Sequence, residues 1–92
     1  MVTAIVFIRT DLDSVNSVAE TIAGLDSVSE VYSVTGDLDL VALVRVGSLD
    51  DISAVVTDGI AKIEGILTTE THIAFRTYSR HDLEAAFAIG LD

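Results

Sequence analysis

The sequence contains no cysteine and few basic residues. The absence of thiols excludes a disulfide framework, a thiolate metal site and a cysteine nucleophile. Five Lys and Arg residues oppose fifteen Asp and Glu residues, so the formal net charge is −10. This balance argues against direct nucleic-acid binding, which needs a basic patch, and against an anionic membrane surface. No apolar run approaches the roughly 18 residues of a membrane span, and the chain has no basic signal-peptide start. We therefore expect a cytoplasmic protein.

Hydrophobic residues are abundant for the length of the chain. Half of the 92 residues are hydrophobic and only 22% are charged, which argues against disorder. The length predicts a single domain over residues 1–92, and a domain of this size buries only roughly 60–68% of its extended surface. The chain has more aliphatic side chains than a core of this size can bury. We therefore expect a partner to cover some of them.

The spacing of the apolar residues predicts alternating strands and helices. The strands are expected over Val2–Arg9, Val28–Thr35, Leu38–Val46 and Ile66–Tyr78, and the helices over Asp13–Leu25, Leu49–Ile63 and Ser79–Leu91. Each helix start has a Ser or Thr three residues before an Asp, at Thr10, Ser48 and Ser79, and these hydroxyls are expected to cap the helices. A short Gly36-Asp37 turn is expected to join the second and third strands.

The order β-α-β-β-α-β with a C-terminal helix predicts an α+β, ferredoxin-like fold. In this arrangement both long helices cover one face of an antiparallel sheet, and the other face is polar in a monomer. Here the strands Val2–Arg9 and Leu38–Val46, and part of Ile66–Phe75, are apolar on both alternations. We therefore expect the second face to pack against the same face of another copy, giving a dimeric α/β barrel.

Two histidines are candidates for chemistry. His72 lies within a predicted strand and could be a base or a metal ligand, but a metal site needs three or four ligands and only Glu70 is near in sequence. A structural or interface role is therefore favoured for His72. His81 lies at a helix start, where a solvated or capping role is expected.

Two polar segments are further candidates. Asp37 and Asp39 are either paired carboxylates for acid–base chemistry or metal binding, or part of a turn in which Gly36 takes positive φ and Asp37 bonds its own backbone. The run Thr68–Thr71 either reflects the strand propensity of threonine or presents hydroxyl groups to a small polar ligand. The sequence has no motif for nucleophilic catalysis, phosphate, dinucleotide or zinc binding, so no catalytic residue, metal or cofactor is predicted.

Two segments resemble a known family. Residues Val31–Leu40, with the sequence VYSVTGDLDL, resemble the stretch of the Lrp/AsnC effector domain in which a strand ending in V-T-G leads into an aspartate–hydrophobic–aspartate turn. Residues Gly65–Ala74 are similar to the entry to that family's last strand, with its glycine and paired threonines. The agreement in order and spacing extends from Val2 to about Tyr78.

The resemblance implies dimers that assemble into rings, commonly octamers, with small effectors, usually amino acids, bound in clefts between dimers. The implied ligand-binding residues are those of the turn and two threonines of the last strand: Gly36, Asp37, Leu38, Asp39, Thr69 and Thr71. The turn would offer main-chain groups and a carboxylate for the α-amino group of the effector.

The sequence departs from the family pattern at two places. Full-length members carry an N-terminal helix-turn-helix that binds DNA, whereas this sequence begins at the first strand of the effector domain. We therefore expect a stand-alone or excised effector domain. Leu38 replaces the usual aromatic residue of the turn, which changes the shape of the pocket and leaves the identity of the ligand open.

The favoured function is an amino-acid-sensing regulatory module, not an enzyme, that oligomerises and modulates full-length Lrp/AsnC relatives by co-assembly. One alternative is a small dimeric α/β barrel enzyme, a cofactor-independent oxygenase or isomerase, which would need a polar cavity beside His72. Another is an assembly partner without a ligand of its own. An ACT-type domain shares the topology but more often pairs its sheets edge to edge, which the doubly apolar strands disfavour.

Overall fold

The chain alternates strands and helices in the predicted order. The computed structural model describes residues 1–78 and 80. The strands are β1 (Val2–Thr10), β2 (Val28–Ser33), β3 (Leu40–Val46) and β4 (Ile66–Ala74). Helix α1 (Val15–Ala23) follows a 3-10 turn over Leu12–Ser14, and helix α2 (Leu49–Ser53) continues through a π-helical segment, Ala54–Gly59, into a 3-10 turn, Ile60–Lys62. The predicted helix over Ser79–Leu91 lies outside the described residues.

The four strands form one antiparallel sheet in the order β2-β3-β1-β4. Strand β1 is an inner strand, so that Val6 faces Ala42 of β3 on one side and Thr71 of β4 on the other. The pairing of β1 with β4 shifts by one residue between Arg9 and Thr10. This topology, with both helices on one face, confirms the predicted α+β, ferredoxin-like fold. None of the helices formed by residues 1–78 and 80 is long and apolar enough to cross a membrane.

A single core fills the space between the sheet and the helices. Every second residue of β1 and β3 points into it, which is the alternation expected of strands with one face on a core. The two helical segments contribute residues at helical spacing. The most buried members of the core are Ala4, Val6, Ile8, Val18, Ile22, Leu40, Ala42, Val44, Ile52 and Ile60.

The other side of the sheet, here called the open face, is covered by no helix in the described part of the chain. It is formed by Thr3, Ile5, Phe7 and Arg9 of β1, Glu30 and Tyr32 of β2, Val41, Leu43 and Arg45 of β3, and Thr68, Glu70, His72 and Ala74 of β4. Its apolar centre consists of Ile5, Phe7, Val41 and Leu43. The prediction of an apolar second face is therefore confirmed for the centre of β1 and β3, and it was wrong for β4, where Thr68, Glu70 and His72 lie on this face.

Several predicted element ends were wrong. Strand β4 ends at Ala74 rather than Tyr78, and β2 ends at Ser33. The second helix is regular only over Leu49–Ser53 and then widens to π-helical geometry. The widened segment, Ala54–Gly59, contains three consecutive β-branched residues and a glycine, all of which have low helix propensity.

Of the two predicted helix caps that lie within the described residues, one forms and the other does not. Ser48 accepts a hydrogen bond from the main-chain N–H of Asp51 at 3.4 Å, as expected. Thr10 does not cap α1, because β1 runs one residue further than predicted and Thr10 pairs with Ile66 of β4. Its hydroxyl instead donates to the carbonyl of Asp11 at 3.0 Å. The third predicted cap, at Ser79, lies outside the described residues.

Candidate functional site

The segment Val34–Asp39, here called the β2–β3 loop, is the most exposed part of the motif that carries the family resemblance. It is wider than the short turn predicted at Gly36-Asp37, because Val34 N–H donates to the carbonyl of Asp39 at 3.1 Å and closes a six-residue loop. Gly36 has a φ of 103°, which confirms the predicted positive φ. A Cβ at Gly36 would meet no atom within 4 Å, so the tip of the loop is open.

Asp39 fixes the base of the β2–β3 loop to the end of β1. Its Oδ2 accepts a hydrogen bond from the main-chain N–H of Thr10 at 2.8 Å, and its own N–H donates to the carbonyl of Ile8 at 3.0 Å. A hydrogen bond to a carboxylate is stronger than one between neutral groups. Asp39 therefore acts as a clamp that positions the loop, and one of its two carboxylate oxygens is already engaged.

Asp37, in contrast to Asp39, does not hold the loop in position. It is exposed, and its carboxylate makes no hydrogen bond or ion pair with any residue of the described part of the chain. The expectation that Asp37 bonds its own backbone was therefore wrong, since the main-chain bond at Val34 and the carboxylate of Asp39 hold the loop instead. Asp37 is thus the carboxylate of the loop that a ligand can reach, and Leu38 beside it is half-buried.

The predicted threonines lie two strands away from the loop. Leu40 and Thr69 face Ile8 from its two sides, so these three residues form one row across the sheet. With about 4.8 Å between neighbouring strands, Thr69 lies roughly 10 Å from the start of β3. Thr71 is two rows further from the loop, opposite Val6. The structure therefore brings the loop and Thr69 to the same end of the sheet, with Thr71 further along it.

The run Thr68–Thr71 is divided between the two faces of the sheet. Thr69 and Thr71 are half-buried on the side of the helices, because they pair with buried residues of β1. Thr68 and Glu70 lie on the open face. Of the three threonines in this run, only Thr69 and Thr71 therefore lie on the same face of the sheet.

His72 lies at the edge of the open face, on the side of the sheet away from the helices. Its side chain is 57% exposed, its Nε2 is 2.9 Å from Oε2 of Glu70, and its ring packs edge-on against Phe7 with 5.1 Å between ring centroids. Residues 1–78 and 80 contain no group of three or more His, Asp or Glu residues that could hold a metal ion, and they enclose no cavity within one chain. His81 lies outside the described residues.

Sequence reasoning missed the part that Thr10 plays in the site. The partner of the Asp39 carboxylate is a main-chain N–H that is 29 positions away in the chain. Any residue except proline offers this donor, so no side-chain signal marks the position. Only the register of β1 against β3 could have identified it.

The clamp gives a first prediction. Replacing Asp39 with alanine is expected to lower the free energy of unfolding by about 1–3 kcal/mol, because the N–H of Thr10 loses its acceptor. The same change at Asp37, which has no such bond, is expected to cost less than about 0.5 kcal/mol. Urea unfolding followed by circular dichroism measures both. Equal losses in the two variants would contradict the assignment of the clamp.

Comparison with known proteins gives a consistent result. A family model of the Lrp/AsnC ligand-binding domain matches residues 3–83. An uncharacterised HTH-type transcriptional regulator of Pyrococcus horikoshii is 38% identical over 78 residues, which are 82% of this chain and 52% of the relative. A crystal structure from Thermus thermophilus has 51% identity and a TM-score of 0.82, covering 87% of this chain and 100% of that one. AsnC of E. coli has 27% identity and a TM-score of 0.78, covering 83% of this chain and 52% of that one. The chain thus spans about half the length of the regulators that it matches.

Proposed function

The chain belongs to the Lrp/AsnC ligand-binding domain family, and we propose that it is a regulatory module that senses an amino-acid effector. The observation that carries the proposal is an open β2–β3 loop, held in place by Asp39, which presents the unengaged carboxylate of Asp37 at the same end of the sheet as Thr69. Related chains named as transcriptional regulators support a regulatory role rather than a catalytic one. This role requires no catalytic residue and no cofactor.

The chemistry of the loop suits a free α-amino acid. The carboxylate of Asp37 would bind the ammonium group by a charge-assisted hydrogen bond, and the main chain at Gly36 is exposed for further bonds. Because Thr69 lies roughly 10 Å from the start of β3 in the same chain, too far for one α-amino acid to span, the hydroxyls of Thr69 and Thr71 of a neighbouring copy would bind the carboxylate of the effector. Leu38 would contact its side chain, while Asp39 keeps the loop in position.

The proposed site is completed by other copies of the chain. Two copies pair through the open face into a homodimer, and dimers assemble into a ring, for which an octamer is our expectation. The effector then lies in the cleft between dimers, and it favours one ring size by binding one arrangement more tightly than another. The module acts in the cytoplasm as one domain over residues 1–92. It modulates full-length Lrp/AsnC relatives by joining their assemblies.

Calorimetric titration with each of the twenty amino acids tests the sensing role. At least one amino acid is expected to bind the wild-type chain, and Asp37→Asn is expected to weaken that binding about tenfold or more, since it removes the charge from one hydrogen bond. Asp26→Asn is the matched control, because Asp26 is also exposed but lies in the turn before β2.

Two results would overturn the proposal. In one, none of the twenty amino acids binds, which favours a ligand-free assembly partner. In the other, Asp37→Asn binds the effector as tightly as the Asp26→Asn control does, which removes the loop from the site.

A further inference from the structure

The charged residues of the sheet are all on one face. The four strands contain only four Lys, Arg, Asp or Glu residues, and Arg9, Glu30, Arg45 and Glu70 all lie on the open face. Two are basic and two are acidic, so their formal charges cancel. The whole formal net charge of −10 is therefore carried by the rest of the chain.

These four residues form a regular pattern around the apolar centre. Glu30 and Glu70 lie on the two edge strands, β2 and β4, which are roughly 14 Å apart across the sheet. The arginines lie near the two ends of the inner strands. Arg45 faces Thr3 at one end and Arg9 is six residues further along β1, which places the two arginines roughly 20 Å apart along the strands.

The two arginines have no partner among residues 1–78 and 80. Neither Arg9 nor Arg45 forms a hydrogen bond or ion pair with any described residue, although the sequence has three acidic residues for every basic one. The glutamates, in contrast, are oriented on the face, because Glu30 accepts a hydrogen bond from Tyr32 and Glu70 contacts His72. Within the described part of the chain, the open face thus presents two arginines without a partner and two oriented glutamates around an apolar centre.

We propose that these four residues decide how two copies of the chain pair: the open faces stack with their strands crossing at nearly a right angle, and each arginine contacts a glutamate of the partner subunit. The inference rests on the dimer of the proposed function. It adds the orientation of the two sheets and the residues that select it.

The orientation follows from the positions of the charges. Stacked sheets are found either nearly aligned, at about 30°, or crossed at about 90°. In aligned sheets the strand ends of one copy lie over the strand ends of the other, which brings the arginines together. In crossed sheets the strand ends lie over the edge strands, so that Arg9 and Arg45 meet Glu30 and Glu70. The spacings of roughly 20 Å and 14 Å are similar enough for all four pairs to form.

The expected distance between the two stacked sheets also allows each arginine to contact a glutamate of the partner subunit. Sheets that stack face to face lie about 10 Å apart, a gap that an arginine and a glutamate side chain can bridge together. The apolar centre removes water from the middle of the interface, as in other dimers. The pairs at its rim contribute specificity, because like charges placed opposite each other are strongly disfavoured.

A charge-exchange variant tests the crossing angle. The variant carries Arg9→Glu, Arg45→Glu, Glu30→Arg and Glu70→Arg, so its net charge equals that of the wild type. Crossed sheets predict that the variant and the wild type each form homodimers. When the two are mixed and examined by native mass spectrometry, heterodimers are expected at less than about a tenth of all dimers, since arginine then meets arginine. Aligned sheets predict the opposite result, heterodimers in more than half of all dimers, and that result would overturn the inference.

Single substitutions separate this inference from the proposed dimer. Arg45→Glu is expected to raise the dimer dissociation constant about tenfold or more, whereas Lys62→Glu, with the same change in charge outside the sheet, is expected to change it less than about twofold. A dimer that is insensitive to Arg45→Glu would sink the inference and leave the dimer itself in place. A wild-type chain that is monomeric at every concentration would remove the dimer and the inference together.

If the fourfold exchange does not fold, a second pair of variants tests whether these four charges control the pairing. Arg9→Glu with Arg45→Glu makes the face wholly acidic, and Glu30→Arg with Glu70→Arg makes it wholly basic. Each double variant is expected to stay monomeric alone and to dimerise when mixed with the other. Self-association of either double variant as tight as that of the wild type would contradict a role for these charges.

Discussion

Replacing Leu43 with aspartate is expected to convert the proposed dimer into a monomer. Leu43 lies in the apolar centre of the open face, between Ile5 of β1 and Glu30 of β2. An unpaired carboxylate buried there by a partner would cost several kcal/mol, so the dissociation constant should rise about a thousandfold. Sedimentation velocity over a range of protein concentrations measures the change.

The control for this experiment is the same substitution at Leu49. That side chain is 60% exposed at the start of α2, outside the open face. Leu49→Asp is expected to leave the dimer unchanged, and circular dichroism checks that both variants are folded. If Leu43→Asp sediments as a dimer, the open face is not the interface.

Replacing Gly65 with alanine is expected to lower the free energy of unfolding by about 2–4 kcal/mol. Gly65 has a φ of 99°, and a Cβ there would lie 2.7 Å from Cβ of Ser14 and 3.1 Å from Cγ2 of Val18. Its carbonyl also accepts a hydrogen bond from the N–H of Asp11 at 2.9 Å, which prevents the backbone from moving away without a further loss. Urea unfolding curves of the two proteins give the difference.

A comparison with Gly36 separates the two causes of the lower stability of Gly65→Ala, which are the positive φ and the contact with Ser14. Its φ of 103° is nearly the same as that of Gly65, but its Cβ would meet no atom within 4 Å. Gly36→Ala should therefore cost only the conformational term, about 1–2 kcal/mol. Adding Ser14→Gly to Gly65→Ala removes the nearest clashing atoms and is expected to restore part of the stability. If Gly65→Ala and Gly36→Ala lower the free energy of unfolding by the same amount, the contact with Ser14 does not contribute to the loss.

The order of the elements and the apolar centre of the open face were predictable from the sequence. Both depend on local periodicity: β1 is apolar on both alternations, whereas α1 changes to helical spacing. Element ends were less predictable, because they depend on hydrogen bonds between distant segments. Strand β1 extends to Thr10 because β4 offers a partner there, and nothing within VTAIVFIRT indicates that.

The sequence names the residues of the candidate site but not the structural part that each plays. The motif around Gly36 contains both Asp37 and Asp39, and only the structure shows that Asp39 holds the loop while Asp37 makes no bond with any described residue. The charge pattern of the open face was missed for a similar reason. Arg9 and Glu70 are 61 positions apart in the printed sequence, and their placement on one face follows from the register of four strands.

The charged residues of the sheet all lie on the open face, where their formal charges cancel. The proposed dimerisation and the proposed assembly of dimers into a ring are therefore expected to respond differently to ionic strength. The screening length is about 10 Å at 0.1 M salt and about 30 Å at 0.01 M. Two chains that meet through their open faces would bring locally neutral surfaces together. Two dimers of the proposed ring would instead approach through surfaces outside the open face, where the net negative charge lies. We therefore expect added salt to favour the proposed ring more strongly than it favours the proposed dimer.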